Sequence, residues 1–260
     1  MDRALAFAAE CGYTGIEIAP FTLGRTPTEV SAPQRGEIRR QAAQAGMDVV
    51  GLHWLLARTE GLHVTSPDKQ IRNNTADYLA ELARLCADLG GRIMVFGSPK
   101  QRNLLPGVTR RDATRYAAEV LGSVLPVLEG TNVVLALEPL TTDETDFLTT
   151  AAETVALIEQ IGSPHVRLHL DCKAMAGESE PIPELVRRHR GHLAHFHAND
   201  PNRQGPGFGP LDFVPILRSL IDADYREWVS VEVFDLTPGV ERLARESIRY
   251  LWHCLASLGS

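Results

Sequence analysis

The sequence predicts an α/β barrel of parallel strands, and three observations predict it. Short apolar runs alternate with longer amphipathic ones along the chain, which is the βα rhythm of a parallel sheet. Four of the short runs finish on or beside a metal-type ligand, namely Glu138, Asp171, His197 and Glu232. Catalytic groups of closed parallel barrels sit at the C-terminal ends of the strands. The length, 260 residues, matches the roughly 250 that such a barrel needs. The expected class is a TIM (β/α)8-type barrel, with one domain spanning residues 1–260.

The elements follow in order. A helix over 2–11 opens the chain, with Asp2 as its N-cap and Leu5, Ala8 and Ala9 on its apolar side. A strand over 14–19 follows, then a helix over 27–45. Strands are expected next at 48–53, 92–96, 132–138, 166–171, 192–198 and 228–233. Between and after them, helices are expected at 67–89, 110–128, 151–161, 183–189, 213–221 and 239–258. Gly12, Gly46, Gly90 and Gly162 each follow a helix, where a left-handed residue closes the last turn. This makes seven strands, with a first strand missing ahead of the opening helix. Either the start is assigned too far downstream, or the barrel carries a gap. On the second reading, 14–19 pairs with 48–53 on one side and faces 228–233 across the gap, near Glu17 and Ser230.

Composition removes several function classes. The formal net charge of -7 argues against a nucleic-acid or anionic-membrane partner, which needs a basic face. No apolar run is long enough to span a bilayer, and the N-terminus lacks the pattern of a secretory signal. Cys11, Cys86, Cys172 and Cys254 are widely spaced with no CxxC pair, so reduced thiols in a cytoplasmic protein are expected.

Strand periodicity then builds a site. Side chains alternate between faces, so if the four ligands point inward, His169 and His195 lie one layer beneath them. Glu17 and His53 fall on the same inward set. His169, His195 and Glu17 are therefore expected to orient the ligands, because buried polar groups need partners and metal ligands need holding. Three carboxylates and one imidazole form a hard donor set. It suits Mn²⁺, with Mg²⁺ or Co²⁺ as alternatives, better than structural zinc. Glu138 and Glu232 come from separated strands. One is placed to remove a proton beside a carbonyl while the other returns one. Glu144, in the loop after Glu138, and Arg203, in the loop after His197, are candidate contacts for substrate oxygens. His53 and Trp54 are candidates for a sugar-binding wall. Lys100 and Arg102 are a basic pair able to meet an anionic group or to stay solvated. The run Gly205-Pro206-Gly207-Phe208-Gly209 reads as a shaped loop, since no helix with a phosphate-loop lysine follows it.

The segments Leu137-Glu138-Pro139, Leu170-Asp171, His195-Phe196-His197 and Val231-Glu232 carry a family likeness. Through them the chain resembles the sugar phosphate isomerase/epimerase superfamily with a xylose-isomerase-like barrel. The relevant members are ketose 3-epimerases, hydroxypyruvate isomerase and inosose-processing enzymes. The resemblance implies a divalent metal, often manganese, held by Glu138, Asp171, His197 and Glu232, with the two glutamates as acid/base pair. It also implies substrate contacts at Glu144 and Arg203. The expected activity is isomerisation or epimerisation of a small sugar or related polyhydroxy carbonyl compound in carbohydrate metabolism. The alternatives are a lyase or dehydratase acting on a keto-sugar or inosose through the same enediolate, and a non-catalytic sugar-binding barrel. The expected partner is a small carbohydrate, with a homodimer as a possible assembly, since barrels of this group often pair. One position departs from the epimerase pattern. Those enzymes place a substrate-contacting His three residues after the metal-binding Asp, where this chain reads Asp171-Cys172-Lys173-Ala174.

Overall fold

Seven parallel strands run in chain order round one sheet, each hydrogen-bonded to the next: β1 (Gly15–Ile18), β2 (Asp48–Leu52), β3 (Ile93–Phe96), β4 (Val134–Leu137), β5 (Val166–Asp171), β6 (Leu193–Ala198) and β7 (Val229–Val231). The computed structural model describes residues 2–259, and of Asp2 the backbone only. The helices are α1 (Asp2–Cys11), α2 (Ala32–Gln44), α3 (Lys69–Leu89), α4 (Arg110–Thr131), α5 (Ala151–Ile161), α6 (Cys172–Met175), α7 (Ile182–His189), α8 (Phe213–Asp222) and α9 (Val240–Leu258). The Asp2 side chain, expected as an N-cap, lies outside the described residues. No helix among these residues is long and apolar enough to cross a membrane. All four cysteines are free thiols.

Local chemistry sets the boundaries. The single helix expected over 27–45 is corrected to two elements. Pro27–Glu29 forms one 3₁₀ turn, and α2 starts afresh after Ser31, whose backbone N–H donates to the Gln34 side chain at 2.8 Å. Asp68 caps α3 by accepting from the Gln70 N–H, and Thr109 caps α4 by accepting from Asp112. The four glycines expected after helices all take positive φ, from 69° to 101°. α6 was not foreseen. It is one short turn nucleated by Asp171, whose carboxylate accepts from the Ala174 N–H at 2.8 Å.

Alternation along the strands divides the core. Met94, Phe96, Leu135, Leu137, Leu168, Leu170 and Phe196 pack outward against the helices. Inside, a small apolar cluster of Ile93, Val95 and Ala136 fills the β3–β4 side. The β5–β6 side is filled instead by His169, His195 and His197, all at most 1 % exposed. In register, His169 pairs with His195 and Asp171 with His197, so the histidine layer and the ligand layer are level across the two strands.

The expected gap is present: among the described residues no pairing links β7 to β1. A cavity of about 560 Å³ opens there, lined by Tyr13, Gly15, Glu17, Trp228, Ser230 and Leu251 among others. Side chains bridge what backbone does not. A Cβ at Gly15 would lie 2.9 Å from the Trp228 ring, so this position must be bare for the indole to lie across the gap. Outside, Tyr13 donates to the Ala244 carbonyl and Arg245 pairs with Glu10, tying α1 to α9.

Candidate functional site

The strand ends deliver the acidic residues by continuing the ladders one step. The Glu138 N–H donates to the Phe96 carbonyl at 3.2 Å, and the Glu232 N–H to the Ala198 carbonyl at 3.4 Å. Asp171 closes β5 and His197 lies near the end of β6. All four side chains are buried, with Glu138 6 % and Glu232 7 % exposed. Their donor atoms fall into two overlapping groups joined at Asp171, Glu138–His169–Asp171 and Asp171–His197–Glu232, and a third group, His169–His195–His197, overlaps both, each within 4.8 Å. Glu138 therefore meets the others through Asp171 or through His169. His169, expected only as a support, stands among the donors themselves.

Hydrogen bonds fix most of these groups. His197 faces Glu232 Oε2 with Nδ1 at 3.1 Å and Glu17 Oε2 with Nε2 at 3.0 Å. His195 Nε2 lies 2.7 Å from Glu17 Oε1. Glu17 thus reaches across the strand gap from β1 to orient both imidazoles. The Trp54 indole donates to Glu232 Oε1 at 2.8 Å, and His53 Nδ1 lies 3.2 Å from the same oxygen. Asp171 accepts from the Asn199 side chain at 2.6 Å. Glu138 makes no side-chain hydrogen bond among the described residues. Gly97, on the neighbouring strand end, makes the space for it: a Cβ there would overlap Glu138 Oε2. Both ring nitrogens of His169 also lack a partner among the described residues.

The electrostatics are those of crowded acids. Burial, then the charges of Asp171 and Glu232, push Glu138 well above its ordinary value. Burial and then Glu232 push Asp171 up to about 6. Burial would also raise Glu232, but the charge and hydrogen bond of His197, and then His53, outweigh it and hold Glu232 far below the carboxylate range. Glu17 is held low in the same way, with His195 and His197 outweighing burial. Burial would lower His197, yet Glu17 and Glu232 raise it well above 6.5. His169 is driven well below 6.5 by burial, then by His197 and His195, and so stays neutral with a lone pair to offer. Repelling carboxylates, an unpartnered neutral imidazole and hard oxygen donors fit a divalent cation.

A wall rises beside this cluster. Trp54 stacks on Phe234 at 6.0 Å and 15°, and packs at a tilt against Phe21, also at 6.0 Å. Trp54 is 39 % exposed and holds a strained φ of 54°. Arg203 stands 5.8 Å from the Phe234 ring, itself at φ 70°. Glu144 is brought to the same place, but its partner is Lys173, whose Nζ donates to Oε2 at 2.7 Å. His53 and Trp54 therefore both reach the Glu232 carboxylate, and their rings lie 5.8 Å apart. The basic pair at Lys100 and Arg102, able to meet an anionic group or to stay solvated, is not a pair in the structure. Lys100 is exposed, but Arg102 is fully buried and donates to the Leu148 carbonyl at 3.2 Å. The Gly205–Gly209 loop is folded tightly over Asp200, Ser247 and Tyr250, as a shaped loop should be.

Sequence reasoning missed Gly97, Asn199, Lys173 and Phe234. Asn199 and Phe234 lie two residues beyond His197 and Glu232, so the period of two that selected the ligands also pointed to them. Gly97 carries no such signal, because its role is space for a side chain on another strand.

Comparison with known proteins agrees with this architecture. The sequence model of the family described as Xylose isomerase-like TIM barrel matches residues 5–254. The chain is 28 % identical over 258 residues to L-ribulose 3-epimerase of Mesorhizobium japonicum, covering 97 % of this chain and 82 % of that one. It is 23 % identical over 242 residues to a putative hydroxypyruvate isomerase of Streptomyces coelicolor, covering 87 % and 83 %. Its fold superposes on D-psicose 3-epimerase from Clostridium cellulolyticum H10 with a TM-score of 0.87 at 22 % identity, covering 98 % and 93 % of the two chains.

Proposed function

The chain belongs to the xylose isomerase-like TIM barrel family, and from that premise we propose that it is a divalent-metal-dependent epimerase of a ketose or a similar polyhydroxy carbonyl compound. The observation that carries this reading is the pair of buried glutamates, Glu138 and Glu232, set on either side of Asp171 and His197. The relatives named as ketose 3-epimerases support the substrate class.

Glu138, Asp171, His197 and Glu232 would hold the cation, Mn²⁺ before Mg²⁺ or Co²⁺, with His169 within reach of Glu138 and Asp171. When bound, it supplies polarisation of a substrate carbonyl, which acidifies the neighbouring C–H. The residues do the rest. Environment pushes the proton affinities of Glu138 and Glu232 in opposite directions, which is how two carboxylates divide acid and base roles. Glu232, ionised and aimed by Trp54 and His53, takes the proton from one face of the carbon. Glu138, unencumbered by hydrogen bonds, delivers one to the other face. The reverse reaction exchanges the roles. Glu17 keeps the Nε2 side of His197 occupied, so that Nδ1 is the nitrogen facing Glu232.

The test is incubation of the Mn²⁺-loaded protein with ketopentoses and ketohexoses in D₂O. Deuterium at the carbon beside the carbonyl, with inverted configuration there, is the expected result. Loss of water would assign a dehydratase instead. No exchange from any ketose would overturn the reading. A second expectation follows from Gly97. In Gly97→Ala the new methyl displaces the Glu138 carboxylate, and misplacement of a reacting group by about 1 Å costs about 10²-fold in rate. Turnover at saturating metal should fall by that order while the circular dichroism spectrum is unchanged; an unimpaired variant would mean that the Glu138 orientation is immaterial.

A further inference from the structure

Lys173 precedes Ala174, the position where the chain departs from the epimerase pattern, and it is held there firmly. Its backbone N–H donates to Asn199 Oδ1 at 2.8 Å, and the same amide binds Asp171 at 2.6 Å. The side chain is 9 % exposed, crosses to the loop after β4 and donates to Glu144 Oε2 at 2.7 Å. Thr141 donates to that same oxygen at 3.0 Å. The ammonium nitrogen also stands 5.1 Å from the Phe234 ring, on the wall that ends at Glu232 through Trp54.

This leaves an uneven account of donors and acceptors. An ammonium has three N–H groups, and among the described residues one is spent, on Glu144. Glu144 Oε2 takes two side-chain donors and the Thr141 backbone also bonds the carboxylate, while no side chain among the described residues donates to Oε1. A nearly buried ammonium with donors left over calls for further acceptors. The spare donors and the spare acceptor lie side by side, one ion-pair length apart. Hydroxyls on neighbouring carbons present the complementary pattern, one accepting and the other donating. An anionic group fits less well, because Glu144 already balances the lysine charge and would repel a second anion.

Resting on the epimerase reading, we propose that Lys173 and Glu144 together read two adjacent hydroxyls of the substrate, with Lys173 donating to one and Glu144 accepting from the other. Lys173 thereby supplies a substrate contact next to Ala174, the position where the epimerase imidazole is missing, and it selects neutral polyhydroxy substrates over deoxy ones.

The experiment takes a ketose that the wild-type enzyme epimerises, and its monodeoxy analogues. It measures kcat and KM for wild type, Lys173→Met, Lys173→Arg and Glu144→Ala. On the parent sugar, Lys173→Met should lower kcat/KM by about 10–100-fold, mostly through KM, as loss of a charged hydrogen bond does. On the analogue lacking the contacted hydroxyl, the same substitution should cost no more than about twofold, because the interaction is already gone. Glu144→Ala should show the same pattern on the analogue lacking the adjacent hydroxyl, and Lys173→Arg should recover most of the loss. Equal losses on every substrate, or no loss on the parent, would overturn the proposal. If Lys173→Met fails to fold, Lys173→Gln takes its place. If the wild type turns over no ketose, the epimerase reading fails separately. Calorimetric binding of the same series then decides the pair: deoxy analogues that bind wild type as tightly as the parent would overturn it.

Discussion

Glu138→Gln and Glu232→Gln are each expected to lower kcat by at least about 10²–10⁴-fold, the range that positioned acid–base groups contribute. Glutamine keeps the shape and one oxygen, so Trp54 still finds an acceptor, while the amide NH₂ faces the His197 ring that had donated to the second carboxylate oxygen. What is lost is a base and a negative charge. The two losses separate by titrating the metal. A fall in turnover that persists at saturating cation belongs to proton transfer, and one that saturating cation repairs belongs to binding. His195→Ala provides the scale. His195 touches Glu17 and Ser230 rather than the carboxylates of Glu138, Asp171 and Glu232, so it acts through the Glu17 that orients His197. Its removal should cost roughly 10–100-fold, as loss of groups that orient metal ligands does. A Glu232→Gln enzyme with undiminished turnover would refute the two-glutamate mechanism.

Much of this site was legible because it depends on local rules. Alternation along β5 and β6 puts His169 with Asp171 and His195 with His197, and the structure keeps that register. The position of catalytic groups at strand ends is equally local. The gap was legible for a similar reason, since the seven strands read in order leave Gly15–Ile18 and Val229–Val231 as edges, and among the described residues no pairing joins them. What escaped depends on space between elements. Nothing near Gly97 in sequence says that Glu138 will lie against it. Pro27 and Pro33 sit at helix-compatible positions in a continuous polar run, and only Ser31 with Gln34 reveals that two elements meet there. Arg102 read either as a contact for an anionic group or as a solvated charge, and neither reading foresaw burial. Its burial follows from how the loop after β3 folds onto the Leu148 turn, a contact 46 residues away in sequence. Lys173 carried no signal of its own, since the departure from the pattern falls on its neighbour Ala174. Its meaning emerged when Glu144 and Phe234, from two other loops, closed around it.

Removing divalent cations should lower the melting temperature and make that loss depend on pH. A cation present at about a hundredfold its dissociation constant adds about 2.7 kcal/mol to stability. For a chain of this size that corresponds to roughly 5–10 °C. The carboxylates set the pH window. Asp171, pushed up to about 6 by burial and then Glu232, is destabilising in its charged form. Because its folded value lies above its ordinary 3.8, that penalty is complete above about pH 6 and relieved as pH falls toward 4. Glu138, raised by burial and then by Asp171 and Glu232, acts in the same sense. Glu17 and Glu232 are held low, so their stabilising pairs persist down through this window. His197 is held high, so its contribution is complete below 6.5 and fades only as pH rises through its folded value. Chelated protein should therefore gain from acidification at Asp171 and Glu138. Cation-loaded protein should lose, since protons compete with the metal for the same oxygens. The two melting curves are expected to stand well apart at pH 7.5 and to converge near pH 5. A separation that is absent at pH 7.5, or that widens on acidification, would mean that these carboxylates are not where the cation binds.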